Sequence, residues 1–259
     1  MNEKPAQPIT YVRVERNRKV LVKGHVVAEV PLCLRVHGEP WVTLMCSPHD
    51  VEALVLGFLR SEGLIHGPED VVRWDWAQEG RCVDVYLSSA PTALPRRPTL
   101  TTGCVGGVTF EDLEAALPPV EARARVDASR LMELMARLLR SARTYRLSRG
   151  IHSSALSDGE TLRLLAEDVG RHNTLDRLWG QAMRAGLDPQ GHILLTTGRI
   201  STEMLRKAAK MGVPLIASRT SPTHLALQLA EAWHITVVGY VRPTSLRVYT
   251  HPERVKGGD

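Results

Sequence analysis

Aromatic side chains are scarce in this chain of 259 residues: Phe, Tyr and Trp together make up 5%, with only two Phe. No basic stretch is interleaved with aromatics and no helix-turn-helix or RNA-binding signature occurs, so a nucleic-acid partner is not expected. Long apolar runs are missing too. The opening residues "MNEKPAQPITYVRVERNRKV" lack an apolar core segment and no later window approaches 18 apolar residues. Neither a signal peptide nor a membrane span is therefore readable, and a cytoplasmic protein is expected. There is no G-x-G-x-x-G after a strand and no G-x-x-x-x-G-K-[ST], which excludes the common dinucleotide and P-loop schemes. There is also no H-x-E followed by P-C-x-x-C, which excludes zinc-dependent deamination.

Cysteine is sparse as well. The four thiols, Cys33, Cys46, Cys82 and Cys104, form no C-x-x-C pair and no zinc-type spacing, so no metal held directly by the protein is expected. Cys33, Cys46 and Cys82 each sit in apolar or alternating runs, where a cysteine acts as a small hydrophobe. Cys104 has no such neighbours: "TTGCVGG" places it among Gly103, Gly106 and Gly107. A thiol attacks as thiolate and needs exposure and nearby cations or N–H groups, while flanking glycines give a loop access to positive φ and close approach. The alternative is a tight turn whose cysteine is incidental.

What is present is a mild basic excess, 33 Lys and Arg against 28 Asp and Glu, and 43% hydrophobic residues, enough for two modest domains. Residues 1–98 read as a small α+β domain. Its strands alternate in "ITYVRVE", "HVVAEVPLCLRVHG" and "CVDVYLSS", and a helix is expected to start at Ser47 and Pro48 with Val51, Leu54, Val55, Phe58 and Leu59 on one face. Residues 99–127 hold the cysteine loop and a linker. Residues 128–259 read as an α/β domain with an amphipathic helix from Ala128 that places Leu131, Leu134, Met135 and Leu138 on one stripe.

Four strand-like runs, "TLRLLAEDV", "HILLTTG", "PLIAS" and "ITVVGYV", alternate with helical patterns starting at Asn173, Ser201 and Ser221, the first two closed by Gly186 and Gly212. That rhythm predicts a largely parallel sheet covered by helices. Each strand ends near an arginine: Arg171, Arg199, Arg219 and Arg242. At the carboxyl edge of such a sheet these guanidinium groups and the helix N-termini converge, a setting suited to phosphate or pyrophosphate. Singly, each is also an ordinary solvated loop residue. His172 can be an acid or base, a phosphate donor or a supporting hydrogen-bonding residue, and the sequence leaves this open.

The segments "LVLGFLRSEGLI" (54–65), the cysteine loop, "EDVGRHNTLDRLWG" (167–180), "TTGRISTEMLRKAAKMGVPLIASRTSPTHLALQLAE" (196–231) and "VVGYVRPTSLRVYTHPER" (237–254) resemble, in this order, the FdhD family of formate dehydrogenase accessory sulfurtransferases. The resemblance implies a cytidine-deaminase-like α/β domain beside the smaller N-terminal one, and a homodimer. It implies that sulfur is accepted as a cysteine persulfide from a cysteine desulfurase. The sulfur then passes to the molybdenum cofactor, in its bis(molybdopterin guanine dinucleotide) form, before insertion into formate dehydrogenase. Cys104 matches the family's persulfide cysteine. Tyr240, Val241, Arg242, Pro243, Thr244 and Ser245 match its cofactor-binding stretch, and Arg171, His172, Asn173, Arg199 and Arg219 complete the expected set. Two departures stand out: Gly107 occupies the second place of a C-x-x-C frequent in relatives, and Arg149 precedes His152 where a small residue is usual. A cofactor-binding chaperone that transfers no sulfur is the alternative.

Overall fold

The computed structural model describes residues 3–95, 99–100, 108–109, 115–121 and 124–257. The chain opens with a long hairpin, β1 (Ala6–Glu15) and β2 (Arg18–Val27), paired from Ala6↔Val27 to Glu15↔Arg18. Next come β3 (Val30–Val36), β4 (Glu39–Cys46), α1 (Val51–Ser61), β5 (Val71–Ala77) and β6 (Cys82–Leu87). The last four strands of this group form one sheet in the order β4-β3-β6-β5, with β3 and β6 parallel. Period-two alternation turns Leu32, Leu34, Val83 and Val85 to one face, where Leu54, Phe58 and Leu59 of α1 cover them. Helix α1 does not start at Ser47. Its N-cap is Asp50, in the left-handed region, because Ser47 is drawn into contacts with the other half of the molecule.

Two short strands, β7 (Thr99–Leu100) and β8 (Val108–Thr109), pair antiparallel. After β9 (Val126–Asp127), α2 (Ala128–Ser141) buries Leu131, Leu134, Met135 and Leu138 as its periodicity predicts. It is followed by α3 (Arg143–Ser148), β10 (His152–Ser157), β11 (Leu162–Asp168), α4 (Arg171–Arg184), β12 (Ile193–Thr196), α5 (Thr202–Lys210), β13 (Leu215–Ser218), α6 (His224–Ala232), β14 (Thr236–Gly239), β15 (Arg247–Val248) and β16 (Val255–Lys256).

The second sheet has the order β11-β10-β12-β13-β14-β15. It is mixed rather than largely parallel: β10 runs antiparallel to both neighbours and β15 antiparallel to β14. Strand β10 escaped the sequence rhythm because "HSSAL" carries small and polar residues at buried positions. Its reversal still leaves β11, β12, β13 and β14 pointing one way, so their carboxyl ends share one edge. Leu194, Ile216 and Val237 face α4, α5 and α6, while Leu195, Leu215, Ala217 and Val238 face α2. The sheet is thus buried on both sides, which explains the unbroken apolar runs.

Gly186 and Gly212 end α4 and α5 in left-handed conformations, with the paired N–H bonds of a Schellman motif, as Gly186 to Met183 and Leu187 to Ala182. Thr223, not Ser221, caps α6 by accepting from the Ala226 N–H, and Gly170, not Asn173, precedes α4. Helices α1 and α4 cross at glycines: a Cβ on Gly57 would enter the Asp176 carbonyl, and one on Gly180 would enter that of Ala53. Among the described residues no helix is long and apolar enough to cross a membrane.

Candidate functional site

The shared strand edge carries the expected cations in sheet order. Arg171 follows β11, His152 begins β10, Arg199 follows β12, Arg219 follows β13 and Arg242 follows β14. With neighbouring strands about 4.8 Å apart, the four gaps from β11 to β14 make a rim roughly 19 Å long. Three helices, α4, α5 and α6, begin at the same edge and add the partial positive charge of their N-termini.

Hydroxyl groups hold the rim loops in place. Ser154 Oγ is 2.6 Å from Thr174 Oγ1 and donates to Thr196 Oγ1 at 2.9 Å; Thr196 Oγ1 in turn accepts the Gly198 N–H. Ser218 Oγ donates to the Gly198 carbonyl at 2.6 Å, and the Arg219 N–H donates to the Thr196 carbonyl. Gly198 lets β12's loop pass over Arg171: a Cβ there would lie 2.9 Å from Arg171 Cβ and 3.5 Å from His152 Nδ1. On the other side, Arg242 Nη1 donates to the Arg219 carbonyl at 2.6 Å, and the N–H groups of Tyr240 and Val241 donate to the carbonyls of Thr220 and Ser218. The 219 and 242 loops therefore act as one unit.

The expected site residues divide. Arg199 is exposed on the rim, Arg219 and Arg242 are half-buried, and Arg171 lies deeper, 2% exposed. Pro243, Thr244 and Ser245 are exposed in the loop after β14, and the Tyr240 ring, at φ 51°, lies under the Arg247 guanidinium at 4.3 Å. Three side chains are engaged within the protein. His172 is buried with Nδ1 3.1 Å from Glu203 Oε2 and Nε2 3.2 Å from Ser201 Oγ, so both ring nitrogens meet protein oxygens. Burial first, then Arg171 and Lys207, holds its pKa well below the usual histidine value. Asn173 donates its amide to the Met45 carbonyl and to Asp168 Oδ1, both at 2.9 Å. Val241 is packed into the core. Cys104 lies outside the described residues.

Sequence reasoning named one residue without placing it and missed one feature. His152 sits on the rim beside Arg171 and Arg199, and burial followed by those two charges lowers its pKa. The stem of the cysteine loop was invisible. Thr109, the last residue of β8, is buried and donates to Glu62 Oε2 at 3.3 Å. Glu62 neighbours Lys207 of α5, whose ammonium is 2.5 Å from Asp176 Oδ1 and 3.9 Å from Glu203 Oε1. Both β8 and the rim are thus tied to α5, whose N-cap Ser201 follows Arg199 by two residues. The only cue was the pair of charges Glu203 and Lys207 at i, i+4, which reads equally well as a solvated helix pair. Among the described residues no group of His, Cys, Asp and Glu converges to hold a metal ion.

Known proteins are similar to this chain over almost their whole length. "Sulfur carrier protein FdhD" of Bacillus subtilis is 35% identical, covering 99% of this chain and all of its own. Its namesake in Bacillus pumilus is 37% identical over 89% of this chain and 90% of its own. A crystal structure of a formate dehydrogenase accessory protein from Desulfotalea psychrophila superposes with a TM-score of 0.77 and 24% identity, covering 98% of this chain and 100% of its own, and shows the same mixed α/β fold. The model of the FdhD/NarQ family matches residues 27–256, which takes in both sheets and the whole rim, and the chain belongs to that family.

Proposed function

We propose that this protein is a sulfur carrier for formate dehydrogenase maturation, loading sulfur on Cys104 and delivering it to a cofactor held on the strand-end rim. The observation that carries the reading is the rim itself: Arg171, Arg199, Arg219 and Arg242 spaced along one edge, with three helix N-termini behind them. Planar guanidinium forks and helix N-termini suit the pyrophosphates of a guanine dinucleotide, and a rim of roughly 19 Å has the reach to engage more than one phosphate group. The substrate is then the molybdenum cofactor in its bis(molybdopterin guanine dinucleotide) form. The names of the curated relatives, sulfur carrier proteins, support the carrier role.

In the loading step the Cys104 thiolate attacks the terminal sulfur of the desulfurase persulfide. A Cys104 persulfide forms and the desulfurase thiolate leaves. The chain geometry permits delivery: Cys104 is five residues from Thr109, so its Cα lies within about 18 Å of that anchor. The anchor is tied to α5, at the start of which the rim lies. Incubation with a cysteine desulfurase and sulfur-labelled cysteine tests this. Label bound to the wild type, gained as about 32 Da on Cys104 and lost in Cys104→Ala, is the expected result. Label retained by Cys104→Ala overturns it.

A non-catalytic cofactor chaperone is the second reading. It draws on Gly107 standing where a second loop cysteine would be.

A further inference from the structure

Cys33 and Cys82 were read from the sequence as small hydrophobes, and the structure gives them a different setting. They are directly paired in register on the parallel strands β3 and β6. Registered residues on neighbouring strands share a face and lie about 4.8 Å apart, inside the Cα range that a disulfide spans. Leu32 and Leu34 on either side of Cys33 point into the α1 core, so the two thiols lie on the opposite face. Cys33 is partly buried and Cys82 is buried beside it. Along the same face follow Arg35 and Asp84, 3.6 Å apart, the charged neighbours of the pair. Cys46, by contrast, is enclosed in the α1 core and behaves as the hydrophobe expected.

We propose that Cys33 and Cys82 are a redox-active dithiol that closes to a reversible disulfide by exchange with small-molecule disulfides, a modification site separate from Cys104. The accessible Cys33 thiolate attacks one sulfur of glutathione disulfide, forming a mixed disulfide and releasing one glutathione thiolate. The Cys82 thiolate then attacks Cys33 Sγ, forming the Cys33–Cys82 bond and expelling the second glutathione. Two protein protons go to solvent or to the two glutathione thiolates, and the two electrons lost by the protein reside on glutathione. The spacing of adjacent strands sits at or beyond the upper end of the Cβ range of relaxed disulfides, which makes the bond easy to reduce again. Burial, followed by the neighbouring Cys33, raises the Cys82 thiol to about 11, so ring closure is the slow step at neutral pH.

The test uses the full-length Cys104→Ala chain, so that it stands apart from the sulfur-carrier reading, treated with glutathione disulfide, quenched and analysed by intact mass and peptide mapping. The expected result is a glutathione adduct on Cys33 at pH 7. At pH 9 it collapses to a species lighter than the reduced protein by two hydrogens, with the Cys33 and Cys82 peptides linked. The rate of that collapse rises several-fold per pH unit, and dithiothreitol reverses it. Cys82→Ser should stop at the adduct and Cys33→Ser should not react. An adduct on Cys33 that persists at pH 9 in the presence of Cys82, a Cys33 that does not react, or a linkage to Cys46 overturns the proposal.

Discussion

Asp168 and Arg177 form an ion pair 2.6 Å long in which neither side chain is exposed. Asp168 is the last residue of β11, at the rim, and Arg177 lies two turns into α4. The pair does more than neutralise itself. Asp168 Oδ2 also accepts the Ser47 N–H, and Arg177 donates to the carbonyls of Ser47, His49 and Asp50. The loop between β4 and α1 is thereby fastened to the sheet that carries the rim, and this is what moves the start of α1 from Ser47 to Val51.

Arg177→Leu should therefore destabilise strongly, because it removes the counter-ion of a buried carboxylate and the guanidinium that ties the Ser47, His49 and Asp50 carbonyls to α4. Removing one partner of a buried pair typically costs about 3–5 kcal/mol. Urea unfolding of wild type and variant checks the value. A loss below about 1 kcal/mol, the range of an exposed pair, would show that the junction is solvated.

Gly57→Ala tests the crossing of α1 and α4. The added methyl has no room, since it would enter the Asp176 backbone rather than a flexible side-chain tip. The helices must separate, at a cost of about 3 kcal/mol at the upper end of overpacking effects. Gly180→Ala should behave alike, and the double variant should lose less than the sum of the two, because one separation relieves both clashes.

How much of this was legible in the sequence depends on what kind of force fixes each element. Helix α2 was readable because its four apolar residues alone decide its orientation, and the caps at Gly186 and Gly212 because left-handed backbone selects glycine locally. The arginine rim was readable because strand ends and following cations lie within a few residues of each other. Asn173 misled: it has the chemistry of a cap, yet Met45 and Asp168 claim its amide from 128 and 5 residues away. His172, Ser47 and the Cys33–Cys82 pairing were hidden for the same reason. Their partners are set by sheet order and helix crossing, which no local pattern encodes.

Stability should fall as the pH is lowered from 7 to 5. Burial, the largest cause in each case, keeps His49, His152 and His172 below the ordinary histidine value; Arg177 adds to it at His49, which drops to about 4, and Arg171 at the other two. The folded chain thus leaves these rings neutral while the unfolded chain protonates them near pH 6.5. Below that pH the unfolded state binds more protons, so the unfolding free energy decreases by up to about 1.4 kcal/mol per pH unit for each ring. His49, at about 4 in the fold, contributes about 1 kcal/mol of that drop between pH 6 and 5, and His152 and His172 act in the same direction. Urea titrations at both pH values measure it, and His49→Gln should make the slope shallower. Equal stability at the two pH values would mean that the rings are accessible to protons in the fold.

Charge on the rim and sulfur on the loop should be separable. Arg199 is exposed, so reversing its charge should leave the sheet intact while repelling phosphate, whereas reversing Arg242 also releases the Arg219 carbonyl and loosens the joined loops. Arg199→Glu and Arg242→Glu are expected to weaken binding of guanosine diphosphate, used as a probe of the rim, by at least tenfold, and to flatten the dependence of affinity on salt. Both variants should still load label on Cys104. Cys104→Ser should show the converse, binding the nucleotide as the wild type does but failing to mature formate dehydrogenase. Maturation supported by Cys104→Ser, with Arg199→Glu inactive, would select the chaperone reading, in which the rim acts and the thiol does not.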